Sequence, residues 1–102
     1  MLFLSYWELN EQVTPAQRVK AMEKLIEVKL YPPVNINIIR FDMTPSDWGC
    51  TVLEADSVDD IMRYYGAWRQ ACPGVFKSTK IAPASPVQNT VEVMADIIKK
   101  LT

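Results

Sequence analysis

Four segments of the chain have the dense aliphatic and aromatic composition of β-strands. They are residues 2–8, 34–43, 48–55 and 75–82. The first lies within "MLFLSYWEL", which holds neither glycine nor proline, and the second is the β-branched run "VNINIIRFDM". The second and third segments are joined by "TPSD", in which Pro45 and Asp47 favour a turn. Residues 34–55 are therefore expected to form a hairpin with a longer loop.

Three other segments show apolar residues at helical spacing, each after a start signal. In "TPAQ", Thr14 can cap a helix, Pro15 suits its first position, and Gln17 completes a capping box. Pro32-Pro33 would end this helix. Its apolar stripe consists of Val19, Met22, Ile26 and Leu30.

Two further helices are predicted by the same logic. Ser57 and Asp60 begin the second, which the sequence Pro73-Gly74 ends. "SPVQ" repeats the capping pattern at Ser85 and begins the third. The apolar stripe of the second helix is Ile61, Tyr64, Tyr65, Trp68 and Cys72, and that of the third is Val87, Val91, Met94, Ile98 and Leu101.

The predicted order of elements is strand, helix, strand, strand, helix, strand and an added helix. Two split β-α-β units with right-handed crossovers give a four-stranded antiparallel sheet with helices on one face. This is the ferredoxin-like βαββαβ plan, an α+β fold. We expect residues 1–102 to form a single domain, with the core in residues 1–84 and the C-terminal helix in residues 85–102.

Apolar residues occupy both faces of the predicted strands, whereas a sheet with one solvated face should alternate. Leu2 and Leu4 lie opposite Phe3 and Trp7 across the first strand. In the second strand, Ile36 and Ile38 are expected opposite Ile39 and Phe41. An exposed apolar face usually marks an interface. The sequence therefore predicts a two-fold homodimer whose open sheet faces meet.

Three stretches carry a resemblance to a known family: "FLSYWEL", "GCTVLEADSVDDIMRYYGAW" and "VFKSTKIAPA". The chain resembles a bacterial and phage family of unknown function that has a ferredoxin-like, dimeric α+β barrel fold. The resemblance covers most of residues 1–84, while Cys50 and the helix after Pro86 depart from the pattern. It implies a dimeric barrel but no particular activity, because the wider superfamily ranges from cofactor-independent monooxygenases and isomerases to proteins without known chemistry.

Composition narrows the possible functions. The net charge of -1, with scattered Lys and Arg, argues against a nucleic-acid binder. The chain has no histidine, which removes the commonest general base and metal ligand. Its three glycines form no phosphate-binding loop. No apolar stretch reaches the roughly 20 residues of a membrane span, and the N-terminus lacks the basic start of a secretory signal.

The two cysteines and the acidic residues near the second helix have structural interpretations. Cys50 and Cys72 do not make a disulfide framework, so we expect a cytoplasmic protein with both thiols free and neither catalytic. Asp56, Asp59 and Asp60 surround a helix start, where acidic side chains are electrostatically favoured. We therefore predict no metal site and no cofactor.

The stretch "WGCTVLEADS" contains the best candidate for an acid or base. Glu54 shares a strand face with Trp48 and Cys50, and burial inside a barrel would raise the pKa of its carboxyl. The alternative is an exposed glutamate at a strand end. The candidate ligand-binding residues are Trp7, Asn37, Arg40, Trp48 and Tyr65, with Asn37 and Arg40 expected on opposite faces of their strand.

Three functional hypotheses stay open at this point. The first is a non-catalytic, small-ligand-binding or regulatory barrel dimer. The second is a cofactor-independent monooxygenase-like or isomerase-like enzyme that acts on a small apolar or aromatic molecule, with Glu54 as acid or base. The third is a protein-interaction module. An apolar pocket with converging polar atoms would favour the first two.

Overall fold

The computed structural model describes residues 1–102 and contains four strands and three helices. In chain order they are β1 (Leu2–Leu9), α1 (Pro15–Glu27), β2 (Ile36–Met43), β3 (Trp48–Ala55), α2 (Val58–Ala71), β4 (Phe76–Ala84) and α3 (Val87–Leu101). This is the predicted βαββαβ order with a C-terminal helix.

The four strands form one antiparallel sheet in the order β2-β3-β1-β4. The two central strands, β1 and β3, are hydrogen-bonded side by side, with Ser5 opposite Thr51. The ferredoxin-like fold predicted from the sequence is thereby confirmed. The sheet of a single chain is open and does not close into a barrel, so a barrel would require a second copy.

Helices α1 and α2 cover one face of the sheet, which we call the helix face; the opposite surface is the open face. Alternate residues of the central strands point into the helix face and are buried: Phe3, Ser5, Trp7, Thr51, Leu53 and Ala55. Ile61, Tyr64 and Tyr65 of α2 pack against Phe3 and Leu53. The apolar stripe predicted for α2 is therefore its core-facing side.

The starts of α1 and α2 agree with the sequence analysis. Thr14 accepts from the backbone N–H of Gln17, whose side chain accepts in return from the Thr14 N–H, which completes the capping box. At α2, the hydroxyl of Ser57 accepts from the Asp60 N–H. Asp60 also pairs with Arg63 one turn later, so this carboxylate serves the helix start.

The apolar stripe predicted for α1 is largely wrong. The buried residues of this helix are Ala21 and Leu25, while Val19 and Ile26 are exposed and Leu30 lies beyond the helix end at Glu27. Ala21 packs with Val13, Cys72 and Val75 in the second core cluster. A stripe drawn through the larger side chains overlooks a small residue that fits the close contact between α1 and the end of α2.

A β-bulge in β2 corrects the prediction for this strand. The register shifts between Ile38 and Arg40, so that Arg40 faces Val52 and Phe41 faces Thr51. The extra residue inverts the alternation of all positions that follow it. Asn37 and Arg40 therefore share the open face instead of lying on opposite faces, and Phe41 joins Ile36 and Ile38 on the helix face.

Helix α3 differs from its prediction in its start and in its surroundings. Its N-cap is Pro86, and no side chain caps the helix. The hydroxyl of Ser85 accepts instead from the side-chain Nδ2 of Asn89. The predicted Ser85–Gln88 capping box is thus absent. All residues of α3 are exposed, and the molecule measures 58 × 29 × 18 Å. None of the three helices is long and apolar enough to cross a membrane.

Gly49 marks a close approach between β3 and its neighbours. A Cβ atom at this position would lie 2.5 and 2.6 Å from two indole carbons of Trp7 and would overlap the carbonyl oxygen of Asp42. Gly66 in α2 is the opposite case, since no atom lies within 4 Å of an added Cβ there. The two glycines therefore respond differently to the same substitution.

We predict that Gly49→Ala lowers the free energy of unfolding by about 1–3 kcal/mol, because the methyl group must displace both the backbone carbonyl of Asp42 and the Trp7 ring. The matched change Gly66→Ala should raise it by about 0.5–1 kcal/mol, since alanine is the better helix former. Urea denaturation followed by circular dichroism measures both. Equal effects of the two substitutions would contradict the close packing of Trp7 on Gly49.

Candidate functional site

A small aromatic cavity lies on the helix face, between the sheet and α2. It has a volume of about 60 Å³ and is lined by Trp7, Phe41, Thr51, Tyr64, Tyr65, Trp68 and Phe76. Six of these seven residues are aromatic, and the seven together come from all four strands and α2, so the cavity is defined by the sheet register as well as by the helix. Apolar clefts with a few polar atoms are typical of ligand sites.

Two hydrogen bonds order the polar groups beside this cavity. The indole Nε1 of Trp7 donates to Oγ1 of Thr51 over 2.9 Å, which joins the two central strands. Oγ of Ser5 and the hydroxyl oxygen of Tyr65 lie 2.5 Å apart and join β1 to α2. All four side chains are buried. The strand alternation places Ser5, Trp7 and Thr51 on the same face, and the stripe of α2 brings Tyr65 to them.

The residues that line the cavity carry no formal charge at neutral pH. Burial raises the pKa of Tyr64, and burial also raises the pKa of Tyr65, partly offset by its hydrogen bond with Ser5. Both phenols therefore keep their protons at neutral pH. The site can offer neutral hydrogen bonds and aromatic faces to a ligand.

The hydroxyl of Thr51 interacts with both Trp7 and Tyr65. It accepts from the indole N–H of Trp7, and its hydrogen bond to the Tyr65 hydroxyl lowers the pKa of that phenol. Because Thr51 lines the cavity, its proton could turn from Tyr65 to an acceptor atom placed inside. The arrangement fits a small apolar or aromatic molecule that carries one hydrogen-bond acceptor.

The rim of the cavity is formed by side chains that are only partly buried. Phe41 and Trp68 are accessible to solvent, and the ring of Phe41 lies 5.8 Å from that of Trp7 in an edge-on arrangement. The guanidinium carbon of Arg69 lies 5.7 Å from the centre of the Phe76 ring, and the Nη2 of Arg69 donates to Oγ1 of Thr79. Side-chain rotation at Phe41 or Trp68 is the simplest way to open the cavity.

A larger depression of about 350 Å³ lies between α1 and the end of α2. Its floor includes Ala21 and Cys72. The polar side chains that line it, Gln17, Lys20 and Lys24, are all exposed to solvent. The smaller aromatic cavity therefore has the more organised chemistry.

The structure separates the predicted site residues into two groups. Trp7 and Tyr65 line the cavity on the helix face. Asn37, Arg40, Trp48 and Glu54 lie on the open face, as shown by their register with β1 and β3. Glu54 shares that face with Trp48 and Cys50, as predicted, and is exposed. Within one chain, Trp7 and Glu54 cannot act on the same bound molecule.

The open face has its own arrangement of polar groups. Tyr6 donates to Oε1 of Glu8 over 2.5 Å, and this bond is the largest cause of the raised pKa of the Tyr6 phenol. The ring of Tyr6 lies 5.8 Å from that of Trp48. Arg40 forms an exposed ion pair with Asp42 at 2.5 Å. These charged groups surround an apolar area without enclosing it.

Several cavity residues were not predicted from the sequence. Ser5 and Thr51 are polar residues at buried positions of strands, between Phe3 and Trp7 in the first case and between Gly49 and Leu53 in the second. This departure from the apolar pattern was the available signal. Phe41 could not be assigned because the bulge reverses its direction. Trp68 belonged to the predicted stripe of α2 without being selected as a site residue, and Phe76 carried no signal beyond its aromatic character.

Both cysteines are free thiols, which confirms that they are not bonded to each other. Cys50 is exposed on the open face, while Cys72 is buried at the end of α2, next to α1. Burial among Val13, Ala21 and Val75 gives Cys72 the environment of a small apolar residue.

No protein-family model matches the sequence, and no curated protein matches it significantly. Two solved structures are similar to the chain, each with a TM-score of 0.47. One is a dimeric ferredoxin-like protein of unknown function from Thermobifida fusca YX. It is 15% identical in sequence, and the matched region spans 79% of this chain and 85% of that protein. The other is a protein from Agrobacterium tumefaciens, 13% identical, covering 84% and 95% respectively. The fold assignment rests on the strand order of this chain.

We predict that the folded protein loses stability above pH 10 as the unfolded chain ionises its tyrosines. The folded-state pKa values of Tyr64 and Tyr65 are raised, so their contribution is complete below the unfolded value of about 10 and is lost as the pH rises through the folded values. Raising the pH from 8 to 11 should lower the free energy of unfolding of both proteins. The decrease should be smaller by roughly 1 kcal/mol in Tyr64→Phe than in the unsubstituted protein, because the variant has one buried phenol fewer. Urea titrations at both pH values test this, and parallel losses would contradict it.

Proposed function

We propose that this protein binds a small apolar or aromatic molecule carrying one hydrogen-bond acceptor, without catalysing its conversion. The observation that supports this is the aromatic cavity, in which the Thr51 hydroxyl accepts from Trp7 and could turn its proton from Tyr65 to a ligand. The ring faces of Trp7, Phe41 and Phe76 would contact the ligand, and Thr51 would orient it. A regulatory role would follow if the ligand changed the position of α2.

The size of the cavity restricts the ligand. Its volume of about 60 Å³ is well below the roughly 150 Å³ of an engineered cavity that accepts benzene. A ring-sized ligand would have to displace Phe41 or Trp68 outwards, whereas a molecule of a few non-hydrogen atoms would enter without rearrangement. Displacement of Phe41 is the easier of the two, since Phe41 is 43% exposed whereas Trp68 packs against both core clusters.

The same proposal includes a homodimer formed through the open face. This face carries Leu4, Tyr6, Trp48, Cys50 and Val52, all at least partly exposed in a single chain. Two sheets meeting face to face would cover them and would give the barrel of the family that the sequence resembles. Membership of that bacterial and phage family, a cytoplasmic location and the absence of nucleic-acid partners are parts of this proposal.

An enzyme remains the second candidate because of Glu54. Its carboxylate lies opposite Asn37 in the sheet register and would be enclosed only when a second copy covers the open face. In that setting Glu54, Asn37, Arg40 and Trp48 could face a substrate between the two sheets. This site would be separate from the cavity that contains Trp7 and Tyr65.

Binding at the cavity can be tested with phenol, which has one ring and one hydroxyl. We expect phenol to quench the fluorescence of the cavity tryptophans, and Thr51→Val to weaken its binding roughly five- to tenfold through loss of one neutral hydrogen bond. The matched control Thr90→Val removes an exposed hydroxyl on α3 and should leave the affinity unchanged. Binding that both variants leave unchanged, or that perturbs only open-face residues in NMR spectra, would contradict the proposed site.

The dimer can be tested by charging its proposed interface. Leu4→Lys places an ammonium group at the centre of the open face, where 52% of the side chain is exposed in one chain, so folding should tolerate it. Sedimentation velocity at micromolar concentration should show a dimer for the unsubstituted protein and a monomer for the variant. Val19→Lys, at a similarly exposed site on α1, should remain dimeric. A monomeric unsubstituted protein would refute the interface.

A further inference from the structure

Helix α3 presents an apolar surface that nothing in its own chain covers. Every residue from Val87 to Leu101 is exposed, and α3 contributes no residue to either core cluster. Its large apolar residues are Val87, Val91, Val93, Met94, Ile97, Ile98 and Leu101. A helix of 15 residues is marginal by itself in water. It therefore requires a surface on which to dock.

The distribution of residues around α3 indicates how deeply it docks. At about 100° per residue, the apolar residues together with Thr90 and Ala95 occupy an arc of about 200°. The remaining arc contains all the charged and amide residues: Gln88, Asn89, Glu92, Asp96, Lys99 and Lys100. A helix lying on a single flat surface needs an arc of only about 100°. The wider arc fits a groove with two walls.

The connection to β4 holds α3 away from its own subunit. Pro83 and Pro86 flank this connection, and the backbone at Pro86 is extended, with φ of -55° and ψ of 141°. Because Ser85 precedes a proline, its backbone also favours an extended conformation. The short connection therefore directs α3 outwards instead of folding it back against β4.

A groove of about 150 Å³, large enough for a few side chains of α3, lies between α2 and β4. Its lining is mainly apolar and includes Phe3, Val58, Ile61, Met62, Ile81 and Pro83. Met62 is 66% exposed at the edge of this groove. The groove is close to the point at which α3 leaves the sheet, since Leu2 and Phe3 pair with Ala84 and Pro83. The point at which α3 leaves the sheet and the groove between α2 and β4 thus lie at the same end of the molecule.

We propose that α3 is exchanged between two copies of this chain, so that each α3 docks in the partner's groove between α2 and β4. Since the groove and the departure point are neighbours, a two-fold axis near this end makes both contacts at once and closes the assembly. The exchange rests on the proposal that the chain forms a homodimer, and it adds a contact region that is separate from the open face.

The area involved agrees with a second copy as the occupant. Each large apolar side chain of α3 could bury on the order of 60 Å², so two exchanged helices would bury on the order of 1,000 Å² before the acceptor surfaces are counted. Specific interfaces bury about 1,200–2,000 Å² in total. The two-fold symmetry doubles a contact that would be small in one copy.

A membrane surface is the less favoured occupant. Helices that lie on membranes usually have many Lys and Arg residues on the polar face and Trp, Phe or Leu on the apolar face. In α3 the charges of Lys99 and Lys100 are balanced by Glu92 and Asp96, and Lys100 forms an ion pair with Asp96. The apolar arc contains Val, Ile, Met and a single leucine, Leu101, and no aromatic residue.

Crosslinking between differently labelled full-length chains tests the exchange. One chain would be unlabelled and carry Ile98→Cys. The other chain would be labelled with ¹⁵N and carry Met62→Cys. Both chains would also carry Cys50→Ser, which removes the exposed native thiol. After mixing and treatment with a short bismaleimide, mass spectrometry should show a covalent pair of one labelled and one unlabelled chain. Val19→Cys, which is similarly exposed but outside the groove, replaces Met62→Cys in the control. A yield no higher than the control would overturn the proposal, as would closure within a single chain carrying both cysteines.

Charge substitutions separate the exchange from the open-face dimer. Ile98→Glu, in the apolar arc, should weaken dimerisation at least tenfold in sedimentation equilibrium, while Asn89→Glu on the polar arc should not. If Leu4→Lys gives monomers but Ile98→Glu does not weaken the dimer, the open-face interface is supported and the exchange of α3 is refuted. If only Ile98→Glu dissociates the dimer, the exchange of α3 is supported and the open-face interface is refuted. Ile98-dependent binding of a monomer to vesicles of phosphatidylserine and phosphatidylcholine would also overturn the exchange.

Discussion

The packing of the Trp7 indole beside Gly49 and its hydrogen bond to Thr51 determine much of the rest of the structure. The ring crosses from β1 to β3 in the space that a side chain at position 49 would occupy. It thereby fixes one wall of the cavity and satisfies its own N–H in the interior, where an unpaired donor would be costly. The hydroxyl of Thr51 is oriented by the same bond, so cavity shape and cavity chemistry both depend on one tryptophan and one absent Cβ.

The two faces of the sheet differ because of what covers them. On the helix face, α2 supplies Tyr64 and Tyr65, which close the aromatic cavity and complete the hydroxyl pair with Ser5. On the open face, apolar and aromatic residues are surrounded by charged groups such as Glu8 and Arg40 and have no cover in a single chain. The aromatic cavity and the exposed apolar area consequently lie on opposite sides of the same two central strands.

Most of the fold was predictable because the strands and helices have strong periodic patterns and proline- or serine-based starts. β3 was placed at its observed bounds, and the stripe of α2 from Ile61 to Cys72 identified its core side. The prediction failed where a single residue changes the geometry. Ile39 is an ordinary β-branched strand residue, yet the bulge beside it reverses the direction of Phe41. Ala21 was missed because its importance comes from close packing against Cys72, which no pattern of large residues reveals. The cavity depends on both kinds of detail, so only Trp7 and Tyr65 among its residues were selected.

The β-bulge near Ile39 also has a consequence for aggregation. β2 and β4 are the edge strands of the sheet, and unpaired edges can add further strands from other molecules. The bulge interrupts the regular hydrogen-bonding pattern of one edge, where Arg40 and Asp42 add charge. At the other edge, Pro83 lacks an N–H, and Lys77 and Lys80 are exposed. Both edges are thus poor templates for runaway strand addition, and fibril growth through this sheet is disfavoured even though its surface is rich in apolar residues.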